Sequence, residues 1–343
     1  MKYLFAYTIP IAAIIGIYLG GLYTFSAFAY AFVLIPLIEL LLPSQDVNPH
    51  KPQYNNTQNL VFDILLYLNV PIVYGSLLYS LFKLSISSIT TIETVGIILS
   101  LGVVLGSNGI NVAHELGHRP RMFEKILSKI LLLPSFYTHF FIEHNHGHHL
   151  HVATPEDPST AKLNQNLYQF WIQSVAGTYM KAWKIQRKLN KDNNISTFNF
   201  KNDMLYFMII QLLYLVALYF SFGLTITVYA ILAGIVGLLL LETINYIEHY
   251  GLLRNKLPSG RYERVTEQHS WNSNHTIGRI VLYELTRHSD HHFKSQKKYQ
   301  TLTNHATSPQ LPYGYPTSMV LAFFPPLWFK IMNKRLTQKV LTA

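Results

Sequence analysis

Four groups of histidine carry the chemistry open to this sequence. The first is His114-Glu115-Leu116-Gly117-His118, where a spacing of four puts both imidazoles on one face of a helix. The second is Glu143-His144-Asn145-His146-Gly147-His148-His149, with His144 and His148 again four apart and His149 adjoining. The third is Asn245-Tyr246-Ile247-Glu248-His249-Tyr250-Gly251-Leu252, in which Glu242, Asn245 and His249 share a helix face. The fourth is Arg287-His288-Ser289-Asp290-His291-His292, with His288 one helical turn from His291 and His292. Clustered imidazoles at helical spacing are metal ligands.

The chain of 343 residues contains 16 histidines and no cysteine. Disulfides, thiolate zinc sites and cysteine-held iron–sulfur clusters are therefore excluded, and a metal here takes nitrogen or oxygen ligands. Histidine without cysteine suits Fe, Cu, Ni or Zn. Nine candidate ligands are too many for one ion and suit two ions with open positions. They are His114, His118, His144, His148, His149, His249, His288, His291 and His292. Glu115, Glu143, Asp157, Glu248 and Asp290, with Asn245, stand close enough in sequence to orient the rings through hydrogen bonds. His50, His139, His269, His275 and His305 lie outside the clusters and read as loop or packing residues, while His146 and His151 fit either reading, and on a helix His146 points away from the His144/His148 face.

The elements that must position these groups are membrane helices. Half of the residues are apolar and 13% are charged, against about 25% in soluble domains. Six stretches are long and apolar enough to span, at roughly 4–20, 23–42, 60–82, 92–113, 204–222 and 224–247. The apolar N-terminal run continues too far for a cleaved signal and reads as retained helices. The stretch 126–142 is shorter, contains Pro134, and reads as an interfacial helix. Of 27 Lys and Arg, 11 fall in 117–203 and 13 after Tyr250. The positive-inside rule then makes 117–203 and 250–343 cytoplasmic, with both termini, in an inner-membrane arrangement. Every histidine cluster lies at a cytoplasmic helix end or in those segments. The expected architecture is one all-α integral membrane domain over 1–343, with a cytoplasmic cap carrying the metals. The net charge of +10 fits that topology and contact with anionic lipid, and offers a docking face to an acidic electron carrier. Nucleic acid is not an expected partner.

The four boxes together resemble the membrane alkane 1-monooxygenase family, within the wider group of histidine-rich membrane hydroxylases and desaturases. The wider group shares three boxes, matched by His114/His118, His144/His148/His149 and His288/His291/His292. The alkane hydroxylases add N-Y-x-E-H-Y-G-L, which Asn245–Leu252 matches at every position. Box order and spacing agree across nearly the whole chain. Two departures are Thr286 before Arg287, where Gln is common, and Phe293, where Ala is usual; neither touches an expected ligand. The resemblance implies two iron ions held by the nine histidines, O2 as oxidant, and rubredoxin with its reductase as electron source. The chain has no C-x2-C motif, so the donor is a separate protein.

An alkane offers no polar handle, so its binding must come from an apolar channel, at about 0.8 kcal/mol per buried CH2. Entry from the bilayer among the first four spans would place Phe28, Tyr30, Phe32, Tyr67 and Tyr74 along the path. In the resembling family, bulk on the second span limits chain length; here Ala31 is small, which favours longer alkanes. The nearest alternatives are hydroxylation of fatty acids, lipids or aromatic methyl groups, or desaturation. A metal transporter or sensor would place its ligands near mid-membrane rather than at helix ends.

Overall fold

The computed structural model describes residues 2–42, 44, 48, 56–86, 88–199 and 201–342. His50 and most of the loop at 43–58 lie outside the described residues. The described chain is helical, and its only β pairings are the isolated bridges Lys256–Tyr262 and Asn272–Gln310. Eleven helices matter here: α1 (Lys2–Leu19), α2 (Gly21–Leu41), α3 (Asn59–Ile86), α4 (Thr91–Gly117), α5 (Met122–Leu132), α6 (Leu167–Asp192), α7 (Asp203–His249), α8 (Thr276–Val281), α9 (His288–Phe293), α10 (Tyr315–Ala322) and α11 (Pro325–Thr342).

Five of these, α1 to α4 and α7, are apolar and long enough to cross a bilayer. Helix α7 has 47 residues, which at 1.5 Å per residue is roughly 70 Å, about twice the hydrocarbon thickness. It is not one straight rod: Gly223 has φ 80° and ψ 173°, a non-helical conformation that L side chains rarely adopt. The fifth and sixth sequence segments are thus joined at one residue, with no intervening loop.

The chain forms two compact units and alternates between them: Met1–Leu34, Tyr54–Asn145 and Tyr179–Leu241 make the first, and Ile35–Gln53, His146–Thr178 and Glu242–Ala343 the second. Each is built from distant stretches, which is why no boundary shows in the sequence.

In the first unit α4 is the central helix, with 78% of its most apolar window buried, against 28–44% for the other spans. Its start is fixed by a capping box: Glu93 N donates to Thr90 Oγ1 (3.2 Å), and Thr90 N donates to Glu93 Oε2 (2.9 Å). The other Glu93 oxygen accepts from Gly21 N (2.7 Å), tying down the α1–α2 turn, where Gly20 and Gly21 both have positive φ. Small residues let α4 approach α7 closely: a Cβ on Gly102 would stand 2.4 Å from Val236 Cγ1. Buried Asn108 donates to Asn69 Oδ1 (2.8 Å) and to the Ala6 carbonyl (3.1 Å), cross-linking α4, α3 and α1 where lipid could satisfy neither amide. The amphipathic α5 follows α4; Tyr67 donates to Glu124 (2.9 Å) and Tyr74 to the Ile130 carbonyl (2.8 Å). Those two tyrosines therefore fasten α5 to α3 through their hydroxyls.

The second unit has an aromatic core of Tyr246, Tyr250 and Trp328, with Trp328 ring centroids 5.5 Å from each tyrosine. A buried polar segment, 270–274, stitches the end of α7 to α9. Trp271 N donates to the Glu248 carbonyl (2.8 Å) and its indole to the Tyr250 carbonyl (2.9 Å). Asn272 Nδ2 donates to Ser289 Oγ (2.7 Å), while Asn272 Oδ1 accepts from Ser289 N (2.8 Å) at the start of α9.

Candidate metal centre

In the first unit His114 and His118, at the end of α4, meet His144. His144 Nε2 and His118 Nε2 are 3.0 Å apart, and the His114 ring lies 4.4 Å from that of His144. Phe140 stacks on His144 at 4.6 Å and 22°, limiting rotation of its ring. His114 is one turn beyond a π-helical stretch, Leu105–Ile110, which resets the helix face that α4 presents.

In the second unit His148, His249, His288 and His292 are buried and each offers a ring nitrogen within 4.8 Å of the others. His292 Nε2 is 2.8 Å from His288 Nε2 and 3.2 Å from His148 Nε2. Two nitrogens bound about 2.1 Å from one ion at a right angle stand about 3.0 Å apart, so these separations are those of adjacent ligands. His149 and His291 face each other beside this group, Nε2 to Nε2, at 3.2 Å.

His144 and His148 therefore do not share a cluster, despite their spacing of four. The segment His144–His148 is a π-helical turn, in which residues four apart are no longer aligned as in an α-helix. The last box divides likewise: His288 and His292 join the four-histidine cluster, while His291 pairs with His149.

The surroundings fix the rings. His148 Nδ1 donates to Asp157 Oδ2 (2.9 Å), and Asp157 is itself held by Thr160 Oγ1 (2.7 Å) and Ser159 N (3.2 Å). That bond leaves the His148 Nε2 lone pair directed at the cluster. His249 Nδ1 faces Ser270 Oγ (3.4 Å), and its fully buried Nε2 has no hydrogen-bond partner among the described residues. A buried nitrogen with no partner costs about 1–3 kcal/mol unless something binds it. The residues fit a nitrogen-bound transition metal: all four donors are imidazole, and His249 aims an unsatisfied atom into their midst. Burial, then neighbouring imidazoles, holds the pKa of His291 and His292 well below the usual histidine range, which keeps both neutral and able to coordinate.

The carboxylates divide by partner. Glu248 Oε2 lies 3.2 Å from His288 Nε2, directly at the cluster. Tyr315 sits beside it; burial first, and then the Glu248 carboxylate, pushes the phenol pKa well up. Glu115 pairs with Arg119 (2.7 Å), which also reaches Asp63 (3.4 Å), and Glu143 pairs with Lys181 (3.2 Å). Asp290 binds Lys297 (2.7 Å), Thr303 N (2.8 Å) and His305 (2.8 Å), and so secures the loop after α9 rather than a ligand ring. Burial raises its pKa, but the bonds from His305, Lys297 and Thr303 outweigh that and hold it below the ordinary value. Asn245 donates to Glu242 (3.4 Å), whose other oxygen accepts from Ser174.

Each residue of the Asn245–Leu252 box has a task. Tyr246, Ile247, Tyr250 and Leu252 are core residues. Glu248 and His249 face the cluster. Gly251 ends the helix at φ 69°, donating to the Ala161 carbonyl (2.9 Å), and a Cβ there would meet Leu336 at 2.5 Å. Sequence reasoning missed the 270–274 segment, which positions both His249 and α9. Its signal was faint: a run of Ser, Trp and Asn, polar like a surface loop yet wholly buried.

Of the residues expected along a substrate path, Ala31 is buried in a π-helical turn, Tyr30–Leu34, and Phe28 packs on Phe32 at 5.1 Å. Tyr30 bonds Thr8 (2.8 Å). Of the remaining histidines, His139 is buried between Tyr137 and Tyr179, His146 is exposed, His151 pairs with Glu156 (2.9 Å), His269 with Glu263 (3.3 Å), and His275 with Ser273 (2.9 Å).

Comparison with known proteins finds relatives over most of the chain. The fatty acid desaturase family model matches residues 91–321, a stretch that includes all nine histidines. The chain is 38% identical to alkane 1-monooxygenase 1 of Alcanivorax borkumensis, over 96% of this chain and 83% of that protein. It is 36% identical to alkane 1-monooxygenase of Pseudomonas putida, over 94% and 81%. It is also 27% identical to the xylene/toluene monooxygenase hydroxylase component XylM of Pseudomonas putida, over 96% and 87%. On identity and coverage together, this chain belongs to the alkane 1-monooxygenase family of integral membrane proteins.

Proposed function

We infer that the protein is an alkane 1-monooxygenase, converting the terminal methyl of an alkane to a primary alcohol. One oxygen atom of O2 enters the alkane; the other leaves as water, with two electrons and two protons taken up. The observation that carries this reading is the four-histidine cluster closed by His249, whose helix end reads N-Y-x-E-H-Y-G-L throughout.

The nine histidines hold two iron ions, of which the His148, His249, His288 and His292 cluster holds one. Iron bound there supplies the activation of O2. The chain's own part is to keep His249, His291 and His292 neutral by burial, orient His148 through Asp157, and place the Glu248 carboxyl at the cluster. The chain is one domain with six spans, counting α7 as two helices broken at Gly223. The lysine- and arginine-rich segments 117–203 and 250–343 and both termini lie on the cytoplasmic side. Alkane enters from the bilayer and is held by apolar contact alone. Phe28, Ala31, Phe32, Tyr67 and Tyr74 flank its path, the last two being the residues that fasten α5 to α3. Rubredoxin, reduced by its own reductase, supplies electrons as a separate protein.

The test is product analysis by mass spectrometry. Membranes holding the protein, with rubredoxin, its reductase and NADH, receive a mixture of alkanes, fatty acids and xylene. Primary alkanols as the main products support the reading. Alcohols of xylene in their place would make it an aromatic-methyl hydroxylase, the reaction class named by its XylM relative. No oxygenated product would overturn both.

A further inference from the structure

We propose that the solvent-open pocket beside His149 and His292 is where an acidic one-electron carrier protein docks, with Phe293 at the centre of the contact and Lys294 on its rim. This deepens the reading above and rests on it. The pocket, of about 510 Å³, is walled by those two histidines and by the loop 293–297 that follows α9. Within the second unit His148, His249, His288, His291 and His292 are buried, whereas His149 is partly exposed at this pocket.

The lining decides between occupants. Two lysines, a serine and a glutamine share it with the histidines, so it offers a hydrocarbon no apolar enclosure. It does offer a protein partner an exposed aromatic with a basic edge. Phe293 is 45% exposed, directly follows His292, and carries the Lys294 ammonium 5.7 Å from its ring centroid. Leu150, directly following His149, is 64% exposed. Two large apolar side chains are thus exposed, each next in sequence to a histidine of the pocket wall. An apolar centre with a charged rim is how protein interfaces are built, and an aromatic at the centre carries much of the binding.

Charge selects the partner's sign. The loop reads Phe293-Lys294-Ser295-Gln296-Lys297-Lys298, and Asp290, the carboxylate bonded to it, is already occupied by Lys297, Thr303 and His305. The chain as a whole carries +10. An acidic carrier is steered to such a patch and a basic one repelled. Seated there, the carrier lies against the His149 and His292 imidazoles of the pocket wall. Each docking hands over one electron: the carrier is oxidised by one, the centre is reduced by one, and no bond forms or breaks. Two dockings supply the two electrons of one turnover.

The experiment uses the full chain in lipid nanodiscs, loaded with iron, and reduced rubredoxin as the probe. Rubredoxin Kd is measured by interferometry and its KM by alkanol formation, for Lys294→Glu, Phe293→Ala and, as a charge reversal outside the loop, Lys188→Glu. The proposal expects Kd and KM for rubredoxin to rise about tenfold in Lys294→Glu and several-fold in Phe293→Ala, at wild-type iron content. Lys188→Glu should match wild type, and the salt dependence of KM should flatten only in Lys294→Glu. Unchanged Kd in Lys294→Glu and Phe293→Ala, or an equal rise in Lys188→Glu, would overturn it. If rubredoxin binds at this loop but the wild-type protein makes no alkanol even with a small chemical reductant, the docking site stands and the hydroxylase reading fails.

Discussion

His288 and His292 face each other through their Nε2 atoms at 2.8 Å, and His148 Nε2 approaches the same atom of His292 at 3.2 Å. His148 Nδ1 donates its proton to Asp157, so it is the His148 Nε2 lone pair that faces His292. A cation in their midst is what turns that convergence into a stable arrangement.

Asp157 acts through His148. Asp157→Asn keeps the shape but weakens acceptance of the Nδ1 proton, so the ring loses its fixed orientation. Loss of such a partner costs roughly 10–100-fold in metal affinity. Competition with a chelator, read as iron retained per chain, should show that loss; retention equal to wild type would exclude the role.

Asp157 and Asp290 show what the sequence could and could not convey. Both lie near a histidine box, and proximity along the chain made them equal candidates. Only folding decides that Asp157 meets His148 while Asp290 turns to Lys297, Thr303 and His305. The boxes themselves were legible because imidazoles at helical spacing, with no cysteine in the chain, have few other readings. The separation of His144 from His148 was not, because it depends on a π-helical turn that no residue type announces. The apolar helices were legible from length alone, but their count rests on the conformation of Gly223 within α7. The 270–274 segment went unremarked because its partners, the Glu248 and Tyr250 carbonyls and Ser289, are distant in sequence, which composition does not reveal.

Burial lowers the pKa of His139 to about 4, so it is neutral in the fold. The unfolded histidine titrates near 6.5, so below that pH the unfolded state binds more protons and stability falls. The loss grows as pH drops from about 6.5 to about 4 and levels off at about 3 kcal/mol. Unfolding of the iron-free protein should therefore show His139→Phe gaining on wild type by that amount across this window. Parallel stability curves would contradict the assignment.

Gly102 and Gly75 make a contrasting pair. A Cβ at Gly102 meets Val236 at 2.4 Å, whereas one at Gly75 meets nothing within 4 Å. Gly102→Leu should destabilise the protein by about 1–3 kcal/mol through overpacking of α4 against α7. It should also lower bound iron, since α4 carries His114 and His118. Gly75→Leu should be near neutral; equal effects would show that the α4–α7 approach does not matter.

Ala31 is buried on α2 between Tyr30 and Phe32. If alkane passes it, Ala31→Trp shortens the accepted chain: turnover of long alkanes falls while medium ones persist. Competition between alkanes of graded length measures this, and an unchanged profile would remove Ala31 from the path.

The proposed iron site depends above all on His249. Iron per chain, measured by plasma mass spectrometry on purified protein alongside alkanol formation, tests it most directly. Two irons are expected in wild type, about one in His249→Ala, and no alkanol from that variant at equal membrane insertion. Two irons retained with full activity in His249→Ala, or zinc alone in a wild type that stays inert toward O2 after iron loading, would contradict it.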